Sequence, residues 1–138
     1  MTAITGTPAA PATGKAMKIA GWTLSGLFIA FMIFDVGIKL LGHPEVARSE
    51  GDLGLPPGSG FGIGVMEGLI LALYVLPRTA VLGCVLIAAL MGGTAAVHLV
   101  NGNPLFSHLL FGPYLAVFAI GGLWLRDASL RRLLPIRR

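Results

Sequence analysis

The chain has 138 residues, of which 55% are hydrophobic and only 12% are charged, and its mean hydropathy is +0.84. A soluble domain carries about 25% charged residues, so this composition excludes an ordinary soluble enzyme and a disordered protein and indicates a single membrane domain. The only cysteine, Cys84, excludes an intramolecular disulfide, a Cys-x-x-Cys redox pair and a cysteine metal cage.

Residues 1–18 form the predicted N-terminal tail. The first 14 are rich in Thr, Ala and Pro and carry no charged side chain, which is typical of disorder. Lys15 and Lys18 precede an apolar stretch, as in a signal peptide. That stretch is too long, and no small-residue cleavage site follows it before Asp35 and Lys39. We therefore predict an uncleaved first helix.

Four apolar runs follow the tail, at residues 19–41, 60–76, 80–100 and 105–125. They contain 23, 17, 21 and 21 residues, and a helix needs about 20 to cross roughly 30 Å of hydrocarbon. None shows a polar face of useful width. Pro77 and the Asn101-Gly102-Asn103-Pro104 turn separate the last three runs. The sequence predicts an all-α, integral membrane four-helix antiparallel bundle over residues 19–125, followed by a basic cytoplasmic tail at residues 126–138.

Basic residues are divided unequally between the two predicted sides. With four crossings, the termini share one side with eight basic residues, namely Lys15, Lys18, Arg78, Arg126, Arg131, Arg132, Arg137 and Arg138. The opposite side has only Arg48, in the loop at residues 42–59. The positive-inside rule then predicts cytoplasmic termini in a bacterial inner-membrane protein. Topology accounts for the pI near 9.9, so we expect no nucleic-acid partner.

Five ionisable residues lie inside the predicted spans: Asp35, Lys39, Glu67, His98 and His108. At 1.5 Å per residue they lie about 3 to 10 Å below the outer boundary. All five fall in the outer half, although the helices alternate in direction. Ionisable groups at such depth usually face the interior of a bundle. We predict a polar pocket that opens to the outer face and contains these five side chains.

Local spacing supports this pocket. Asp35 and Lys39 are four residues apart on one helical face, so they can pair. Gly64 and Gly68 surround Glu67 and allow a close helical neighbour. Pro113 cannot donate a backbone hydrogen bond, which predicts a kink one turn below His108.

Structural roles remain open for the same residues. Lys39, His98 and His108 lie near enough to the boundary to be interfacial, and Asp35 with Lys39 can be an ion pair that only fixes helix register. Glu67 is the deepest and has no partner nearby in sequence, which favours function or a cross-helix network. His108 lies too near the turn for a bis-histidine haem, and we predict no metal site.

Other polar and aromatic residues have simpler interpretations. We predict Trp22, Tyr74 and Trp124 as interfacial anchors. Cys84 lies away from the five ionisable residues, and we interpret it as a packing residue.

Several segments together resemble the DoxX-like family of small four-helix membrane proteins, over about residues 19–126. They are Gly37-Ile38-Lys39-Leu40, Val65-Met66-Glu67-Gly68, Leu76-Pro77-Arg78-Thr79, Gly92-Gly93-Thr94-Ala95-Ala96-Val97-His98-Leu99 and Gly102-Asn103-Pro104. The resemblance implies that Lys39, Glu67 and His98 are the family's polar positions. It also implies a link to quinone-reducing sulfur oxidation or to other bacterial oxidoreductase complexes. Related four-helix folds that perform thiol–disulfide chemistry use cysteine pairs, which this chain lacks.

These observations leave three functional hypotheses. The first is a non-catalytic membrane subunit or partner of an oxidoreductase complex, whose pocket contacts quinone or relays protons without a covalently bound cofactor. The alternative is a small proton-coupled transporter or lipid-binding membrane protein that acts as a homo-oligomer. The third is an assembly protein whose polar cluster only holds helices together. All three predict the lipid bilayer as a partner.

Overall fold

A computed structural model describes residues 13–136. In that range the regular structure is entirely helical. Three stretches are long and apolar enough to cross a membrane, at Lys15–Leu40, Ala80–Val100 and Leu105–Arg126. The prediction of an all-α membrane protein is therefore confirmed. Residues 1–12 of the predicted tail lie outside the described residues.

Six α-helices follow one another within residues 13–136. They are α1 (Lys15–Leu40), α2 (Pro44–Asp52), α3 (Ser59–Val75), α4 (Ala80–Val100), α5 (Phe111–Arg126) and α6 (Ala128–Leu133). The bounds of α4 coincide with the predicted third run. Helix α1 begins at Lys15, so residues 15–18, which the sequence assigned to the tail, are helical.

The long helices share one apolar core. Helix α1 packs against α3 and α5, and α4 packs against the same two helices. Phe28, Met32, Tyr74, Ile87 and Leu123 are almost completely buried between them. Helix α3 is apolar but has 17 residues, fewer than the roughly 20 of an ordinary membrane span.

Glycines bring the helices into close contact at the end that carries α6. A Cβ atom on Gly83 of α4 would lie 2.5 Å from the Tyr74 backbone N and Cα atoms of α3. A Cβ atom on Gly122 of α5 would lie 2.7 Å from the Ser25 backbone N of α1. Only glycine permits helix axes to approach this closely, as at other small-residue contacts in membranes.

Helix α2 lies within residues 42–59, which the sequence analysis treated as a loop. Pro44 is its first residue, where the missing N–H costs no hydrogen bond. His43 Nδ1 accepts a hydrogen bond from the Glu45 backbone N–H at 3.2 Å and caps the helix start. Gly42 and Gly54, with φ of 67° and 66°, form the turns before and after the helix.

The fourth predicted run is interrupted near its start. Leu105–Leu109 form one π-helical turn, and Leu110 separates this turn from α5. Pro113 lies in the first turn of α5 and has no N–H to donate to the Leu109 carbonyl oxygen. The irregular backbone thus includes His108 itself and ends at Leu110, before Pro113.

Candidate functional site

An ammonium and two carboxylates meet between α1 and α3. Lys39 Nζ lies 2.5 Å from Asp35 Oδ2, and 2.9 Å and 2.7 Å from Glu67 Oε1 and Oε2. Glu67 is 5% exposed. The predicted pairing of Asp35 with Lys39 is present, and Glu67 joins it from the neighbouring helix. We refer to Asp35, Lys39 and Glu67 as the charged cluster.

The small residues of α3 position this cluster. A Cβ atom on Gly64 would lie 2.8 Å from Lys39 Cβ, and one on Gly68 would lie 3.4 Å from a methyl group of Val36. The absent side chains let α1 approach α3 beside Glu67. Charged groups in a membrane interior are costly unless they are paired, and this approach gives Glu67 its ammonium partner.

The charged cluster lines a cavity of about 770 Å³ that α1, α2, α3, α4 and α5 enclose together. Apolar side chains make up most of the wall, among them Met32, Ile63, Ile70, Leu86, Met91 and Leu115. The three groups of the charged cluster lie together on this mostly apolar wall, which is the usual composition of a site for a small amphipathic ligand. Thus Asp35, Lys39, Glu67 and His98, four of the five residues predicted for a pocket, line a single cavity.

His108 touches the site without lining the cavity. Its ring lies 5.8 Å from that of His98, centroid to centroid, with 71° between the ring planes. His98 Nδ1 is paired with Asn103 Nδ2 at 2.8 Å, and His108 Nδ1 with Ser107 Oγ at 2.8 Å. His108 is exposed. It therefore supports the position of His98 rather than extending the cavity wall.

Helix α2 lines one end of the cavity through Val46, Ser49 and Glu50, and Leu53 lines it directly after the helix. Glu50 is 8% exposed. Its Oε2 atom accepts a hydrogen bond from the Gly58 backbone N–H at 2.9 Å, and Oε1 accepts one from Gly60. We call Glu50 with these two N–H groups the α2 latch. The sequence pattern does not single out Glu50, since its partners are the backbone N–H groups of Gly58 and Gly60.

Leu53 makes a further connection at the same end. Its carbonyl oxygen accepts a hydrogen bond from Asn101 Nδ2 at 3.2 Å, which joins the end of α2 to the end of α4. The cavity is therefore bounded by polar contacts on both sides of α2.

A separate polar chain lies at the opposite end of the long helices. Arg126 Nε donates to Ser25 Oγ at 3.0 Å. Ser25 Oγ lies 2.8 Å from Tyr74 Oη, which donates to the Ala119 carbonyl oxygen at 2.8 Å. Tyr74 is completely buried, so its interpretation as an interfacial anchor is wrong. Trp22 is more than half exposed. The Cζ atom of Arg126 lies over the Trp22 ring, 4.1 Å from the ring centroid.

The start of α6 is fixed to α5 by charged groups. Arg131 donates to the Trp124 and Leu125 carbonyl oxygens at 2.8 Å and 2.9 Å, which caps the end of α5. Asp127 accepts from the Ser129 backbone N–H at 2.7 Å. Burial raises the Asp127 pKa, but the hydrogen bonds from Ser129 and the nearby arginines outweigh burial and hold it below its usual value.

Cys84 lies in the apolar core. It is 3% exposed and packs with its sulfur 3.9 Å from the Ala119 carbonyl oxygen. The position agrees with its interpretation as a packing residue.

Comparison with known proteins identifies one family. A family model described as the DoxX-like family matches residues 23–122. The matched range includes the charged cluster, the α2 latch and both histidines of the site. Searches of curated proteins and of solved structures give no match.

Proposed function

The chain belongs to the DoxX-like family, and from this premise we propose that it is a non-catalytic membrane partner of an oxidoreductase complex. In this role the 770 Å³ cavity holds the headgroup of a quinone-type lipid. The charged cluster and His98 are the polar groups that contact the headgroup. The partner is a second protein of the complex, and the protein itself binds rather than converts the lipid.

The proposed topology is a four-helix antiparallel bundle in which α1, α3, α4 and α5 cross the membrane. In this topology α3 is a short crossing, because the segments before and after it, α2 and the Pro77 turn, lead to opposite ends of the long helices. Eight basic residues fall on the side of the termini and one on the side of α2. The positive-inside rule supports cytoplasmic termini and an outward-facing α2 in a bacterial inner membrane.

The observation that carries the function is the position of the charged cluster on a mostly apolar wall. Asp35, Lys39 and Glu67 lie beside Met32 and Ile63 in one cavity. A quinone-type headgroup needs hydrogen-bonding groups at its oxygens and apolar contacts for its ring and tail. A cluster that only held α1 and α3 together would not need an open volume beside it.

The same cluster supports proton relay. Two carboxylates share one ammonium, so the cluster has room for one exchangeable proton. Redox reactions of quinone-type lipids take up or release protons at the headgroup oxygens. A proton-holding group beside the headgroup suits a subunit that moves protons between the lipid and the outer face.

Purification from the native membrane tests this proposal. We expect wild-type protein, extracted with its surrounding lipid in a polymer disc, to carry quinone-type lipid enriched over the bulk membrane. Mass spectrometry of the extracted lipids and of copurified proteins measures both. The Glu67→Gln variant keeps the shape of the side chain but loses its charge, and we expect it to lose the enrichment.

Glu45→Gln is the matched control, because Glu45 is an exposed residue of α2 that pairs only with Arg48 among residues 13–136. It should retain the enrichment. Quinone at the bulk-membrane level in wild-type protein, with no redox protein copurified, would contradict the proposal.

A further inference from the structure

The hydrogen-bond donors of the charged cluster are fully used. A lysine ammonium has three N–H donors. Lys39 lies within hydrogen-bonding distance of three carboxylate oxygens, Asp35 Oδ2 and both oxygens of Glu67. A ligand that enters the cavity therefore meets an ammonium whose donors already have acceptors.

One acceptor of the cluster remains available. Asp35 Oδ1 accepts no N–H or O–H hydrogen bond among residues 13–136, whereas Oδ2 accepts one from Lys39. The Asp35 side chain is 22% exposed and lines the cavity. An ionised carboxylate oxygen only accepts hydrogen bonds. The open position of the cluster thus calls for a ligand that donates.

His98 offers a donor to the ligand. Asn103 Nδ2 is an amide nitrogen that only donates, so His98 Nδ1 accepts its hydrogen bond. In the neutral imidazole the proton is then on Nε2, the ring nitrogen that remains for a ligand. A hydroxyl oxygen and a carbonyl oxygen can both accept from Nε2–H, so His98 fits either form of a quinone-type lipid, and the choice between them depends on Asp35.

We propose that the site prefers the reduced, hydroquinone form of a quinone-type lipid. This preference follows from the unused Asp35 oxygen, which lies beside a fully engaged Lys39 in a cavity that His98 also lines. This inference rests on the proposed function. A hydroquinone has two O–H groups, and one of them donates to Asp35 Oδ1. A quinone has two carbonyl oxygens that only accept, so at this position two acceptors would face each other.

Three related probes separate these ligands. Full-length protein in lipid nanodiscs is titrated calorimetrically, without oxygen, with decylubiquinol, with decylubiquinone and with the dimethyl ether of decylubiquinol. The ether keeps the ring and the tail but has no O–H donor. We expect decylubiquinol to bind about tenfold more tightly than the other two, which corresponds to one hydrogen bond to a charged acceptor.

Asp35→Asn tests the residue itself. The amide has nearly the same shape and adds two N–H donors, so the preference for the quinol should fall to about twofold or reverse. Asp52→Asn is the control, because Asp52 is exposed and lies outside the cavity wall. Circular dichroism and the unfolding temperature show whether each variant keeps its fold, and the three wild-type titrations do not depend on any variant.

The outcomes distinguish this inference from the function on which it rests. Equal or tighter binding of decylubiquinone or of the ether overturns the preference for the reduced form and leaves the quinone site in place. No binding of any probe overturns the site as well. A folded Asp35→Asn protein that keeps the full wild-type preference overturns the role of Asp35.

Discussion

At the scale of single residues, Lys39 is the centre of the polar site. It holds two carboxylates from two helices, so removing it changes more than one contact. Removing one partner of a buried ion pair is more costly than replacing all partners by neutral groups of similar shape, because a lone charge remains without compensation. This asymmetry gives the cluster a measurable signature.

We expect Lys39→Met to lower the free energy of unfolding by about 3 kcal/mol. The triple variant Asp35→Asn, Lys39→Met, Glu67→Gln should recover most of that loss, because no uncompensated charge is left in the cluster. Thermal unfolding in detergent measures both. If the triple variant is less stable than Lys39→Met alone, the cluster is not held by charge pairing.

Gly83 offers a second test at this scale. A Cβ atom there would overlap the Tyr74 backbone at 2.5 Å, and backbone atoms cannot move aside as side chains do. We expect Gly83→Ala to lower the free energy of unfolding by about 1 to 3 kcal/mol through overpacking between α3 and α4. Gly92→Ala in the same helix is the control, since a Cβ atom there meets nothing within 4 Å. Equal unfolding temperatures for both variants would refute the close contact.

The residues show why sequence reasoning identified some contacts and missed others. The Asp35–Lys39 pair follows from a spacing of four in one helix. Glu67 is the deepest ionisable residue and has no partner nearby in sequence, which favoured function or a cross-helix network, and the structure pairs it with Lys39 of α1. The burial of Tyr74 depends on Ser25 and Ala119, which other helices supply. A tyrosine near the end of an apolar run looks interfacial until those distant partners are known.

At the scale of elements, α2 is the part of the fold that the sequence pattern concealed. Apolar length predicts spans well, as the agreement over residues 80–100 shows. It has no bearing on a nine-residue polar helix such as Pro44–Asp52, whose position depends on one carboxylate and two backbone N–H groups. Proline at the first helical position, here Pro44, is a start signal, but nothing local places the helix over a cavity.

The α2 latch predicts a change in access to the cavity. A Cβ atom on Gly60 would overlap Val46 and a Glu50 oxygen, so Gly60→Ala should displace α2 from the start of α3. The test uses a Cys84→Ser, Thr94→Cys background, in which the only thiol is at position 94 in the cavity wall. We expect a membrane-impermeant thiol reagent to label this position several-fold faster when Gly60→Ala is added than in the background alone. Labelling of intact cells, followed by mass spectrometry, measures the rate.

Gly62→Ala is the control for this labelling experiment. Gly62 lies in the same helix, and a Cβ atom there meets nothing within 4 Å. It should label at the rate of the parent protein. Indistinguishable rates for the Gly60 and Gly62 variants would mean that α2 does not control access.

At the scale of the whole molecule, the distribution of basic residues makes a topology test decisive. A reporter that is active only in the cytoplasm, fused in turn to the N-terminus, to the C-terminus and within the turn at Gly54, should be active at both termini and inactive at Gly54. Activity at one terminus only would mean an odd number of crossings. The proposal that α3 spans the membrane would then be wrong.

The 17 residues of α3 have a further consequence, which concerns the bilayer itself. At 1.5 Å per residue the helix is about 26 Å long, shorter than a hydrocarbon layer of roughly 30 Å. If α3 spans the membrane as proposed, its exposed Phe61 and Leu69 side chains favour lipids with short acyl chains, because a thicker layer must thin locally beside this helix. We expect a higher unfolding temperature in 14-carbon than in 20-carbon phosphatidylcholine vesicles, measured by intrinsic fluorescence. A protein of this shape would sort laterally toward thin regions of its membrane, so bilayer thickness would decide where the cavity and any redox partner meet.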